Sequence, residues 1–516
     1  MKFRWKILLG LASLLGISVL AAVVYHFQLK MVVERYKAEL KAQGEPMELA
    51  EVIPPRIPPD KNSAPQFLAA VGLFTTNKDF LTTNWLYAMR GVAPGKAQIM
   101  WQQKTIRDDG TTNSWEDLAQ ALEKDKEGFR QLVAITNSPL FDFGLHYEQR
   151  FEMRITNLVV EKKTAQRLSA KTLNDLLEGQ SEPAAANIRA MLALVEGTRD
   201  ERTAISQLVR IAIAQIACGT TWEFLQSSNL TDGQLAGLQA DWNRLDFLQA
   251  MTKVLPVERE GGLTTVAHWR SSNAAIEQYF DLSIKAREGL GQDVEEENRF
   301  EKIKQGSQIF LWRYWWSYPD ELRCLKGYEV LLESMKLAIT NGSFQVALKR
   351  QNTALDQLGI SKLNNEFDSI FSGKTDFHAM LSESIVTLAG LSRKVMCVEV
   401  AKQVAITAIA LKRFQLQHGS YPPNLNALVP EFALTVPRDP VDGEPLRYRL
   451  LLDGNFRLYS IGENGKDDNG NPALKNNVEG STFNWLNSQA LDWVWPQPAT
   501  EAEIESYFNK QAGKPH

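Results

Sequence analysis

Residues 7–25, "ILLGLASLLGISVLAAVVY", run for nineteen positions without a charged side chain. At 1.5 Å per residue, a helix of that length spans roughly 30 Å, the thickness of the hydrocarbon of a bilayer. Lys2, Arg4 and Lys6 stand before it. After it, "QLKMVVERYKAELKAQG" brings Leu29, Val32, Val33, Tyr36 and Leu40 round at helical spacing, and Gly44 supplies a stop. The pattern predicts one continuous helix with residues 7–27 in the membrane. The competing reading is a signal peptide cut after the small residues near Val19 and Ala21. Long downstream domains cross regardless of flanking charge, so the N-terminus is expected inside and the bulk of the chain outside.

A chain of 516 residues exceeds one ordinary core, so several structural units are expected. A net charge of −4 offers no basic face for nucleic acid. Cys218, Cys324 and Cys397 lie far apart and form no CxxC pair, and the first and last sit in apolar helical patterns. They read as buried free thiols.

The expected organisation has five parts: a basic start and anchor (1–27), then a helical stalk and proline-rich spacer (28–60, with "EVIPPRIPPDKNSAP"). A mainly α-helical array follows over 61–380, then an α+β segment over 381–475 and a tryptophan-containing tail over 476–516. Within the array, Ser63 and Pro65 open one helix, and Ser114 opens another through "SWEDLAQALEKDKEGFRQLVAI". The stretch from Thr164 reads as two antiparallel helices turning at Glu178-Gly179, with Pro183 in the second helix's first turn. A long helix is expected over about 200–226, and Thr231 with Gln234 forms a capping box for the next. Paired helices of this kind resemble a tetratricopeptide-like array, although the 34-residue signature does not recur. "LPVEREGGL" (255–263) and "DVEEEN" (293–298) read as solvated boundaries. Strands are expected only after residue 430.

Two segments stand out for binding. "IFLWRYWWSYPDEL" (309–322) gathers Trp312, Tyr314, Trp315, Trp316 and Tyr318. Such a cluster lines a groove for a sugar or peptide, anchors at a membrane surface, or packs as core with Pro319 ending its helix. No nucleophile elbow, HExxH, phosphate loop or GxGxxG motif is found, and the six histidines are scattered singly. No catalytic residue is therefore assigned. A glycan-acting or other hydrolase with a cleft at 309–318 is the enzymatic alternative.

The second segment closes the chain's most ordered pattern. A long helix carries Leu391, Val395, Val398, Ala401, Val404, Ala408, Leu411 and Phe414 on one face, and Gly419 ends it. "LRYRLL" and "NFRLYS" alternate as strands, expected over 446–452 and 455–461 around a two-residue Asp453-Gly454 turn. The long helix before Tyr421-Pro422, then "NLNALVP", "PRDPVDGEPLRYR" and "LYSIGENG", is similar to the globular domain of the major pseudopilins of type II secretion over about 385–470. Pseudopilins also carry a prepilin-peptidase site, which "MKFRWKILLGLASLLG" lacks.

The resemblance implies an envelope protein near secretion machinery, and a calcium loop after the last strand. The matching oxygens are Asn464, Asp467, Asp468, Asn469 and Asn471, with a plain turn at Gly462, Gly465 and Gly470 as the other reading. Trp485, Trp493 and Trp495 are expected to dock the tail, and Thr500 with Glu503 to cap a last helix. The functional expectation is a membrane-anchored scaffold or binding protein with envelope partners.

Overall fold

The computed structural model describes residues 2–75, 86, 88–108, 111–137, 139–272, 274–276, 278, 307–360, 380–474, 485–486 and 489–512. In α1, the side chains up to residue 12 and at 14, 15, 18 and 19 fall outside the description. "DVEEEN" lies wholly outside the described residues.

The chain is mainly helical. It opens with α1 (Lys2–Ala42), α2 (Leu49–Val52) and α3 (Ala64–Gly72), then two hairpins, β1 (Arg90–Ala93) with β2 (Lys96–Gln98) and β3 (Ile106–Asp108) with β4 (Thr111–Asn113). Helices α4 (Trp115–Lys124), α5 (Lys126–Ala134), α6 (Asn157–Leu177), α7 (Ser181–Gly197), α8 (Ala204–Leu225), α9 (Asp232–Arg244) and α10 (Leu248–Ser271) follow. A π-turn at Trp312–Trp316 leads into α11 (Ser317–Asn341), and α12 (Phe344–Gln357) and α13 (Glu383–His418) come next. The chain finishes with β5 (Arg447–Leu450), β6 (Phe456–Ser460), β7 (Trp493–Val494), β8 (Gln497–Pro498) and α14 (Glu501–Ala512).

Two compact units divide the chain. Unit 1 takes residues 1–53, 252–334 and 350–391, and unit 2 takes 54–251, 335–349 and 392–516. In unit 1, the second half of α1 buries Val33 and Leu40 against Leu325, with Tyr36, Leu263, Tyr318 and Leu322 packed around them. Charges inside this packing are paired. Glu321, 1% exposed, meets Lys37 at 2.6 Å and Arg270 at 2.5 Å. Removing one partner of such a buried pair strands the other, which is the costly event.

Unit 2 is built on α6, α7 and α8, which pack on one another pairwise. Gly179, at φ +73°, makes the α6–α7 turn, and the Thr231–Gln234 box caps α9. Among the residues whose side chains are described, Ala204–Leu225 is the one helix long and apolar enough to cross a membrane, and 72% of that apolar stretch is buried. Its apolarity is that of a core. Trp222 is fully buried there and donates its Nε1–H to the Pro496 carbonyl at 2.9 Å, so the tail docks on this helix. The three cysteines are free and buried.

Several sequence expectations need correcting. Strands are not confined to the region beyond 430: β1 to β4 lie between residues 90 and 113, and β2 pairs in parallel with β8 of the tail. These strands are too short for a period to show. The helix expected from Ser114 breaks at Asp125, whose buried carboxylate is engaged by the N–H and hydroxyl of Thr75 and by Arg167.

"LPVEREGGL" is no boundary. It lies inside α10, where Arg259, 2% exposed, holds Glu329 at 2.6 Å and the Pro46 carbonyl at 2.8 Å. Pro319 ends nothing: the helical run continues through it, from the π-turn into α11. The α13 stripe is not one face, since Met396, Cys397, Val400, Ala405 and Ile409 are buried as well. The β5–β6 hairpin closes on Leu451 and Asn455, leaving a three-residue loop with Gly454 at φ +82°.

Candidate functional site

The aromatic segment belongs to unit 1 and is organised by the π-turn. The backbone N–H of Ser317 reaches back five residues to the Trp312 carbonyl, which adds a residue to the turn. The extra residue rotates the next part of the helix, so Trp312, Trp315 and Trp316 do not share a face. Trp312 is fully buried; it packs edge-on to Trp269, with ring centroids 5.9 Å apart, and its Nε1–H donates to Asp320 at 3.3 Å. Tyr314 and Trp315 are exposed, while Trp316 and Tyr318 are half-buried.

The carboxylates beside this segment are already committed. Asp320 is buried and accepts from the Leu381 N–H at 2.8 Å, the Ser382 N–H at 3.1 Å and the Ser382 hydroxyl at 2.5 Å. It thereby caps the entry to α13. Burial pushes its pKa up, against those donors. Glu321 is held between two cations, so neither acid is free to act on a substrate.

The loop after β6 belongs to unit 2. The unexpected participant is Asp492 of the tail, fully buried, whose carboxylate accepts the backbone N–H of Asp468 at 3.3 Å, Gly470 at 2.8 Å and Asn471 at 3.0 Å. Burial again raises its pKa. The loop is thus folded round a carboxylate supplied from outside it. Its own oxygens have donors too. Asp467 accepts from the Tyr459 hydroxyl at 3.0 Å and the Asn469 N–H at 2.9 Å, and Asp468 accepts from Asn464 at 2.7 Å. Asn464 accepts from Lys466 N–H at 2.9 Å, and Asn471 from Ala473 N–H at 3.0 Å.

A calcium ion taking the bonded oxygens of Asn464, Asp467, Asp468 and Asn471 would have to displace these donors. Among the described residues, no group of three or more His, Cys, Asp or Glu side chains is placed to hold a metal. Asn469 at φ +61° and Gly470 at φ +72° give the backbone the curvature that turns its N–H groups inward. A Cβ on Gly470 would stand 2.7 Å from Arg457 Cδ and 3.0 Å from the Tyr459 ring.

Sequence reasoning missed two further polar centres of unit 2. Asp439, fully buried, accepts from Ser460 Oγ at 2.8 Å, the Ile461 N–H at 3.0 Å and the Val441 N–H at 3.0 Å, and meets Arg447 at 3.2 Å. It ties "RDPVDG" to the end of β6. Elsewhere, the Asn157 side-chain amide donates to Glu161 and to Glu201, each at 2.8 Å. Burial lifts Glu161 to about 8 and Glu201 to about 7. Asp492 had one visible signal, an acid inside the apolar run "ALDWVWP". Glu161 and Glu201 had none, being ordinary glutamates in a mixed helical pattern. No family model matches this chain, and neither a curated protein nor a solved structure matches it.

Proposed function

We propose that the chain is a membrane-anchored, extracytoplasmic scaffold or binding protein of the bacterial envelope, held to the bilayer by residues 7–27. The observation that carries the reading is the split surface of α1. Ile17, Leu20, Phe27 and Met31 are 65%, 64%, 59% and 63% exposed, whereas Val33 and Leu40 are 1% and 2% exposed in the unit 1 packing. Apolar side chains left open among the described residues from Ile17 to Met31, on a helix closed by packing from Val33, suit a lipid solvent better than water. The paired helices of unit 2 would present the binding surface, in the manner of tetratricopeptide-like arrays, and the 385–470 region would act as a pseudopilin-like end. The acids near the aromatic segment and in the 458–471 loop are engaged internally, which favours a scaffold over a hydrolase.

Fractionation tests this reading. Full-length protein should stay with alkali-washed membranes, while a variant lacking residues 2–25 should be released. In intact spheroplasts, protease added outside should digest the bulk of the full-length chain. A full-length protein released by alkali, or protected from external protease, would overturn the anchor or the orientation respectively.

A further inference from the structure

We propose that Phe310, Leu311, Tyr314 and Trp315 form a second membrane contact of unit 1, seated in the headgroup layer beside α1; this rests on the anchor reading above. The four side chains are 57%, 39%, 46% and 41% exposed, a contiguous apolar stretch on one turn of chain. Their depth is set by α1. His26 Nδ1 lies 2.9 Å from the Tyr314 carbonyl oxygen, and its ring is 6.2 Å from that of Tyr314 and 5.0 Å from that of Tyr318. His26 is the first residue past the uncharged run of 7–25, where a helix rising 1.5 Å per residue has crossed the hydrocarbon and meets the headgroups.

At that level α1 itself exposes Val24, Tyr25 and Phe27. Tyr and Trp have an apolar ring and a polar edge, and for that reason concentrate where hydrocarbon gives way to water. The turn is held rigidly enough to serve as a seat. Trp312 is locked inside by Asp320, Phe310 packs on Tyr314 at 4.8 Å between centroids, and Arg313 donates to the Trp269 carbonyl at 2.8 Å. A sugar in the same place would need side chains to pair its hydroxyls. Asp320 and Glu321 are already spent, so a bilayer interface is the occupant that fits.

The test uses full-length protein in phosphatidylethanolamine–phosphatidylglycerol vesicles, carrying single spin labels at Ile17→Cys, Phe310→Cys, Trp315→Cys or Leu434→Cys. Leu434, 92% exposed in unit 2, is the aqueous reference. The native thiols are buried and do not compete for label. Accessibility to oxygen relative to a water-soluble nickel chelate reports depth. The expected order is position 17 deepest, 310 and 315 intermediate with a ratio several-fold above that at 434. Position 17 in hydrocarbon, with 310 and 315 as open to nickel as 434, overturns the inference and leaves the anchor standing. Position 17 in water overturns both.

Discussion

His26 places its Nδ1 2.9 Å from the carbonyl oxygen of Tyr314, 288 residues further along the chain. The bond ties the end of the uncharged run of α1 to the turn that carries the exposed aromatics. Being exposed, it contributes little to stability. Its importance is positional, because it puts two separate apolar surfaces of unit 1 at one height.

Two tryptophans of that turn should behave oppositely on replacement. Trp312→Ala empties a filled site and removes one of four donors to Asp320, so a loss of about 3–5 kcal/mol in unfolding free energy is expected. Trp315→Ala removes a side chain already 41% exposed and should change stability by under about 0.5 kcal/mol. Urea titration of the protein in detergent micelles measures both. Equal losses would mean that the π-turn does not separate their environments.

Asp492 should matter more to the 458–471 loop than any residue within it. Asp492→Ala leaves three inward N–H groups without an acceptor, at a cost of about 3 kcal/mol, whereas Asp467→Ala, at a half-open position, should cost about 1 kcal/mol. Gly470→Ala should also destabilise, because a side chain at φ +72° is strained whatever the space. Thermal melting with calcium and with chelator is expected to give coincident curves. A calcium-dependent rise in melting temperature, lost in Asp467→Ala, would instead make the loop an ion site.

Stability should fall as pH rises from about 4.5 to about 8. Glu161, Glu201 and Glu223 are lifted to about 8, about 7 and about 8, chiefly by burial. An acid whose folded pKa exceeds its unfolded value holds its proton more tightly in the native state. Its contribution is therefore complete below the unfolded pKa and lost as pH climbs through the folded one. The three effects share one sign, so they add to a single downward slope. Glu161→Gln, neutral at every pH, should flatten the slope of melting temperature against pH. A stability that rises between pH 5 and pH 8 would show that these acids are ionised in the folded protein.

Elements whose ends carry local chemistry were legible from sequence. Ser114, Thr231 and Thr500 accept or share the capping bonds their spacing announces, and β5 and β6 fall within the expected ranges. The features that periodicity does not show depend on partners remote in the chain. Gly261 and Gly262 signal a loop, yet α10 continues through them because Arg259 finds Glu45 and Glu329, more than 60 residues away on either side. Glu223 illustrates the same limit. It lies in a helix pattern, but its carboxylate accepts the N–H groups of Met89 and Met100, and so joins α8 to the strands that periodicity missed. At the candidate sites, the loop and aromatic residues were visible by composition. Of their buried partners, Asp492 showed only as an acid in an apolar run, and the inward role of Asp320 was hidden by a turn of altered pitch.

Residues 7–27 should stay attached to the mature chain and lie in the bilayer. N-terminal sequencing of the protein recovered from alkali-washed membranes tests this most directly. The predicted result is a sequence that begins at Met1 or Lys2. A sequence beginning near Ala22, with the protein in the soluble fraction, would contradict it.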